Sequence, residues 1–117
     1  MRCGFVYQVT NDHSLVSEQL RAGIITKEEA ESHHLRNVIT RSVGYQEEED
    51  VDTTSFALEK GDLLLMCSDG LHGKVNEKEI AQQLKDLGDK AVKPLIDLAN
   101  ARGGDDNITC VIVKVDA

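Results

Sequence analysis

The chain has 117 residues and a formal net charge of −8, with 40% hydrophobic but only 3% aromatic residues. These values suit one domain with an aliphatic core and argue against unassisted binding of nucleic acid. The cysteines Cys3, Cys67 and Cys110 lack metal-ligand spacing, so we expect small buried hydrophobic side chains at the last two, not a zinc site or a disulfide framework. Because neither a signal peptide nor an apolar run of membrane-spanning length is present, a cytoplasmic location without membrane contact is expected.

The periodicity of the hydrophobic residues predicts short helices and strands along the whole chain. In order, they are a strand at 3–9, helices at 12–22 and 27–33, strands at 38–43, 53–58 and 63–67, helices at 77–87 and 91–101, and a strand at 108–115. The strands at 53–58 and 63–67 are expected to form a hairpin, with Phe56 and Leu58 facing inward. Residues 45–52 contain five acids in eight positions and predict a solvated loop.

Capping residues mark the ends of these helices. Asp12 or Ser14 is expected as the N-cap of the first helix, and Thr26 opens the capping-box pattern of the second. Pro94 falls just past the first turn of a helix capped by Asp89, which indicates that the last helix either starts later or bends there.

Two acidic turns lie beside apolar strands. The run 63–67 is expected to be buried on both faces and is followed by Asp69 and Gly70, whereas Asp106 and Asn107 directly precede the last strand. If the two strands pair antiparallel, both carboxylates emerge at the same end of the sheet. Carboxylates that converge repel one another unless one is protonated or a cation bridges them, and hard oxygen ligands suit magnesium or manganese. Ordinary Asx turns that hold only backbone amides are the alternative interpretation.

Five segments of the chain resemble the metal-dependent protein phosphatases of the PPM, or protein phosphatase 2C, type. Two late signatures of that family are similar to residues 65–71 (LMCSDGL) and 102–109 (RGGDDNIT), and its bacterial branch is similar to residues 12–16, 23–30 and 36–44. The earlier metal-binding and phosphate-contacting motifs of the family have no counterpart. The resemblance therefore implies the C-terminal half of a catalytic domain.

The fold implied by this resemblance is α+β, with a mainly antiparallel sheet and packed helices, as part of an α-β-β-α sandwich. Residues 1–117 would form a single partial domain, in which residues 12–52 are a flap-like helical segment and acidic loop. Because half of a sandwich exposes an apolar sheet face, self-association through that face is also expected.

The activity implied by the resemblance is hydrolysis of phosphoserine and phosphothreonine in proteins by a metal-activated water, without a catalytic side chain. Asp69 and Asp106 are the implied ligands of Mn²⁺ or Mg²⁺, of which the complete enzyme holds two or more. Gly70 would let the backbone approach closely, and Asn107 would orient Asp106 or a metal-bound water. Asp105 departs from the commoner family residues and is given no direct role.

Three functions stay open from the sequence alone. The first is a phosphatase fragment with little or no activity by itself, since two acids do not make a binuclear centre, and with phosphorylated proteins as substrates of the whole enzyme. The second is a non-catalytic, phosphatase-like module that binds phosphoproteins or regulates a partner. The third is a plain structural fold whose acidic turns hold only backbone.

Overall fold

The computed structural model describes all 117 residues, which group into two compact units. The larger unit combines Met1–Tyr7 with Phe56–Ala117, and the smaller unit is Gln8–Ser55. The elements are α1 (Leu15–Arg21), α2 (Lys27–Ser32), β1 (Leu63–Cys67), α3 (Asp69–His72), α4 (Glu77–Leu87), a 3₁₀ turn (Gly88–Ala91), α5 (Val92–Ala101) and β2 (Cys110–Lys114). This mixture of helices with an antiparallel sheet confirms the α+β class. The expected single partial domain with a flap-like segment stays a prediction.

The sheet of the larger unit consists of β1 and β2, which pair antiparallel. Leu63 lies opposite Lys114 at one end, and Cys67 lies opposite Cys110 at the other. The antiparallel pairing on which the expected placement of the two carboxylates depends is therefore present, although β2 is shorter than the expected strand at 108–115. Both cysteines are partly buried and pack against the core, and burial raises the pKa of the Cys110 thiol.

One face of this sheet packs against the helices that follow β1. Leu71, Leu84 and Leu95 are almost completely buried there, one each from α3, α4 and α5. In α5 the buried Leu95 and Ala99 are four residues apart, so a single stripe of the helix faces the core. The helices predicted at 77–87 and 91–101 are thus confirmed, and α5 starts later than a cap at Asp89, as the position of Pro94 indicated.

The opposite face of the sheet is exposed, which corrects the prediction that β1 is buried on both faces. Met66 is 55% exposed and its cross-strand partner Val111 is 47% exposed. Val113, which is 43% exposed, lies opposite Leu64 on the same face. Helices of this chain cover only one side of the sheet, and an apolar run does not reveal how many sides are covered. We call these four residues the outer sheet face.

Three predicted strands, at 3–9, 38–43 and 53–58, are wrong, and so is the predicted hairpin. The first two segments contain only isolated bridges, Arg2 with Phe5 and Ile39 with Ser14, while residues 53–58 have no regular structure. Phe56 and Leu58 do not face inward, since they are 49% and 53% exposed. A strand needs a neighbour to receive its backbone hydrogen bonds, and these segments have no paired strand in this chain.

The helices of the smaller unit begin at the predicted capping residues. Ser14, one of the two expected N-caps, accepts a hydrogen bond from the Ser17 amide at 3.2 Å. Thr26 and Glu29 form the predicted capping box, with each side chain bound to the other residue's backbone amide. In the acidic loop, the Asp52 carboxylate binds His13 and accepts one hydrogen bond from Arg41, and these two contacts lower the pKa of Asp52.

The start of the larger unit is joined to the turn before β1 by a partly buried ion pair. Arg2 donates hydrogen bonds to both oxygens of Asp62, at 2.8 and 2.5 Å, and Asp62 is only 6% exposed. Asp62 also accepts a hydrogen bond from the Glu59 amide at 2.9 Å. These contacts hold the pKa of Asp62 at about 2, so the pair stays ionised over the usual pH range. None of the helices has both the length and the apolar character needed to cross a membrane.

Candidate metal centre

Asp69 lies where β1 ends and the short helix α3 begins. Ser68 is the N-cap residue, with extended backbone, and Asp69 occupies the first position of the helix. The residue is exposed, and its backbone carbonyl accepts a hydrogen bond from the Gly73 amide. Its carboxylate makes no hydrogen bond or ion pair with another side chain. The strand and the helix therefore fix the backbone of Asp69 and leave its carboxylate available for a ligand.

Asp106 lies in the turn between α5 and β2. Gly103 and Gly104 both have positive φ angles, of 124° and 57°, a backbone conformation that glycine adopts without strain and that lets the chain reverse direction after α5. One oxygen of the exposed Asp106 accepts a hydrogen bond from the Asn107 amide at 2.7 Å. This bond reaches the amide of the next residue, whereas an Asx turn would bind the amide two residues on, and it occupies only one of the two carboxylate oxygens.

The two acidic turns are in direct contact through their backbones. The Ser68 amide donates to the Thr109 carbonyl at 3.0 Å, which extends the β1–β2 pairing beyond the strand ends. A β-carbon built on Gly70 would lie 2.2 Å from the carbonyl oxygen of Asn107, so only glycine allows the backbones to come this close. Asp69 lies between Ser68 and Gly70, the two residues of the first turn that make these contacts. Asp106 directly precedes Asn107, whose carbonyl oxygen lies against Gly70. Both acids therefore belong to one cluster of turns at one end of the sheet.

The donors at this end suit a hard divalent cation. Carboxylate oxygens are preferred ligands of magnesium and manganese. The structure contains no group of three or more His, Cys, Asp or Glu side chains that could hold a metal ion, so the candidate donors here are Asp69 and Asp106 alone. Two such donors fit a divalent site as part of its ligand set.

The neighbouring acid, Asp105, is engaged in an ion pair that the sequence did not reveal. Its carboxylate binds the ammonium group of Lys74, which is 31 positions away in the chain. The Lys74 charge therefore offsets the additional negative charge beside Asp106. No local pattern signals this pair, because its members come from separate turns.

A second unpredicted contact anchors the C-terminal end of α5, directly before the acidic turn. Arg102 donates to both oxygens of Glu79, at 2.7 and 2.6 Å, and to the Lys74 carbonyl at 2.9 Å. Glu79 also accepts a hydrogen bond from the Asn76 amide as part of the α4 capping box. The Arg102 guanidinium and this amide lower the pKa of Glu79 to about 2.

This ion pair predicts how stability depends on pH. Glu79 has a usual pKa of 4.5 when unfolded and about 2 when folded. Its contribution is therefore fully present above pH 4.5 and is lost as the pH falls through about 2, because protons bind the unfolded chain first. Glu79→Gln should flatten the fall of the melting temperature between pH 5 and about pH 2. Glu47→Gln in the acidic loop is the control, and an unchanged slope in Glu79→Gln would contradict this assignment.

No protein-family model matches the chain, but individual proteins do. Protein phosphatase PhpP of Streptococcus pneumoniae is 43% identical over an alignment of 113 residues, and the match covers 94% of this chain and 46% of that protein. The structure of the S. agalactiae serine/threonine phosphatase superposes with a TM-score of 0.91 at 43% identity, over 98% of this chain and 48% of that one.

A further structure that resembles this chain contains metal ions. It is the catalytic domain of the serine/threonine protein phosphatase PstP in complex with two manganese ions. It superposes with a TM-score of 0.81 at 33% identity and covers 99% of this chain and 48% of that one. The chain thus spans about half the length of the proteins that it matches.

Proposed function

Since this chain belongs to the bacterial PPM-type family of serine/threonine protein phosphatases and spans about half of their catalytic domain, we propose that it contributes metal ligands to such an enzyme. The reaction is hydrolysis of phosphoserine and phosphothreonine in proteins. The observation that carries the proposal is the backbone contact that brings the turns of Asp69 and Asp106 to one end of the β1–β2 sheet.

The proposed roles follow from where each residue lies. Asp69 and Asp106 bind Mn²⁺ or Mg²⁺, and the two manganese ions in the PstP structure support a site for two or more ions in the complete enzyme. Bound divalent cations supply an activated water and neutralise phosphoryl oxygens. Gly70 lets the two turns approach each other, and the Asn107 amide holds one oxygen of Asp106, which orients the second oxygen.

We further propose that the 117-residue chain alone has little or no phosphatase activity, because two carboxylates are an incomplete ligand set for two ions. Phosphorylated proteins are the substrates of the whole enzyme, and its location is cytoplasmic. Neither nucleic acid nor a membrane is a proposed partner, and the net charge of −8 supports the first of these statements. A non-catalytic module that binds phosphoproteins is the second candidate, favoured by the same incomplete ligand set.

The metal proposal predicts that manganese binds at the two acidic turns. In a titration with MnCl₂, we expect paramagnetic broadening of the amide NMR signals of residues 69–71 and 105–108, because Mn²⁺ relaxes nearby protons. Asp69→Asn and Asp106→Asn should each abolish this local broadening, since a neutral amide is a weaker ligand for a hard cation. Asp89→Asn, at an exposed acid outside these turns, is the matched control.

The outcomes of this titration separate the candidate functions. If the broadening persists in both Asp69→Asn and Asp106→Asn, or if the unsubstituted chain shows no broadening, the acidic turns have only a structural role. Hydrolysis of a phosphothreonine peptide should stay at background with or without MnCl₂. Robust turnover that Asp69→Asn abolishes would refute the proposed inactivity of the isolated chain and would also exclude the non-catalytic module.

The outer sheet face predicts self-association of the isolated chain. Met66, Val111 and Val113 present adjacent exposed apolar side chains, and water contact with such a surface is unfavourable. We expect the sedimentation coefficient to rise with protein concentration, and Val111→Lys should suppress that rise because it places a charge at the contact. Lys78→Ala on α4 is the control, and a concentration-independent monomer would contradict the expectation.

A further inference from the structure

The hydroxyl group of Ser68 lies between two backbone groups of the opposite turn. It donates a hydrogen bond to the Asn107 carbonyl at 3.1 Å and accepts one from the Thr109 amide at 3.0 Å. The Ser68 amide itself donates to the Thr109 carbonyl at 3.0 Å. One residue at the end of β1 therefore makes three hydrogen bonds to the segment that enters β2, and its hydroxyl both donates and accepts.

The carbonyl oxygen of Asn107 is the point where these contacts converge. Ser68 holds this oxygen through its hydroxyl, while Gly70 leaves the space that the oxygen occupies. Asp69 stands between Ser68 and Gly70, and Asp106 is bonded directly to Asn107. A movement of the Asn107 carbonyl would therefore displace one acid relative to the other.

We propose that Ser68 is a positioning residue for the metal site: its hydroxyl fixes the Asn107 carbonyl and so sets the placement of Asp106 relative to Asp69. This inference rests on the proposed metal function. A plain turn would not require a hydroxyl here, because Asn107 and Thr109 are exposed and water can satisfy their backbone groups. Water does not join the two turns rigidly, so loss of the hydroxyl acts mainly on geometry.

Ser68→Ala tests the proposal with two measurements that do not depend on enzyme activity. Without metal, amide exchange at Thr109 should become faster, because its N–H loses the hydroxyl acceptor. With MnCl₂, the midpoint of the NMR broadening at residues 69–71 and 105–108 should move to about tenfold higher concentration, which is the usual effect of removing a group that orients a ligand. Circular dichroism establishes that the variant is folded.

Conservative and distant substitutions separate positioning from general damage. Ser68→Thr keeps a hydroxyl at the same place and should restore the manganese midpoint to within about twofold of the unsubstituted chain, whereas Ser68→Cys, with its weaker sulfur hydrogen bonds, should lie between threonine and alanine. Ser55→Ala, at an exposed serine far along the chain from either turn, should change neither measurement.

Two negative results have different meanings. If the unsubstituted chain shows no local broadening, the proposed metal site is overturned, and the role of Ser68 falls with it. If broadening is present and Asp69→Asn abolishes it while Ser68→Ala leaves the midpoint unchanged, only the positioning role is overturned. Equal weakening in Ser68→Thr and Ser68→Ala would also overturn it.

Discussion

Replacement of Leu95 by alanine should destabilise the larger unit by about 2–5 kcal/mol, the range measured for large-to-small substitutions in cores. Leu95 is 0% exposed and belongs to the core cluster that also contains Leu71 and Leu84. The truncated side chain would leave a cavity that the other residues of this cluster fill only in part. Because a domain of this size has a total stability of only about 5–15 kcal/mol, a loss of this size is a large fraction of the total.

Urea unfolding followed by circular dichroism measures this effect. The matched control is Lys93→Ala on the same helix, whose side chain is 82% exposed and pairs only with Asp97. That substitution should change the free energy of unfolding by no more than about 0.5 kcal/mol. If Leu95→Ala costs as little as the control, the packing described for α5 is not the source of the stability of this unit.

Replacement of Gly70 by alanine is expected to destabilise the chain, although helix propensity alone predicts the opposite. Gly70 lies inside α3 without a positive φ, so propensity would favour alanine by about 1 kcal/mol. The added methyl group would, however, lie 2.2 Å from the Asn107 carbonyl oxygen and 2.9 Å from its carbon. Overpacking of this kind costs about 1–3 kcal/mol, so the clash should outweigh the gain in propensity.

The same clash would push the two acidic turns apart, so Gly70→Ala should also weaken manganese binding. Leu84→Ala is the control for this second effect, because it truncates a core side chain that is 1% exposed and belongs to α4, outside both turns. It should lower stability while leaving the manganese midpoint close to that of the unsubstituted chain. A Gly70→Ala variant that is more stable and binds manganese normally would refute the close approach.

The parts of the fold that were predicted from sequence carry local signals. Thr26 and Ser14 mark helix starts by their own hydrogen bonds, and the apolar spacing of α4 and α5 identifies the stripes that they bury. The strands predicted at 3–9 and 53–58 failed because alternation of side chains does not supply a partner strand. A hydrophobic pattern shows which side chains of a segment are suited to burial, whereas strand pairing depends on whether another strand lies beside the segment.

The candidate site was predictable only in outline. Asp69 and Asp106 are recognisable as acids at strand ends, and the antiparallel pairing of β1 and β2 places their turns together. The pairs Lys74–Asp105 and Arg102–Glu79 join positions 31 and 23 residues apart, and no helical or strand periodicity connects such positions. Contacts of this type follow from the tertiary structure and are absent from any local sequence pattern.

The double role of Glu79 has a consequence for motion. Its carboxylate completes the first turn of α4 and also anchors Arg102, the residue at the end of α5. If either the start of α4 or the end of α5 unfolds, the Glu79–Arg102 ion pair breaks and the other helix end loses this contact. We therefore expect both ends to open in a single cooperative step. Native-state hydrogen exchange should then give the same opening free energy for the amides at the start of α4 and for those of the acidic turn between α5 and β2.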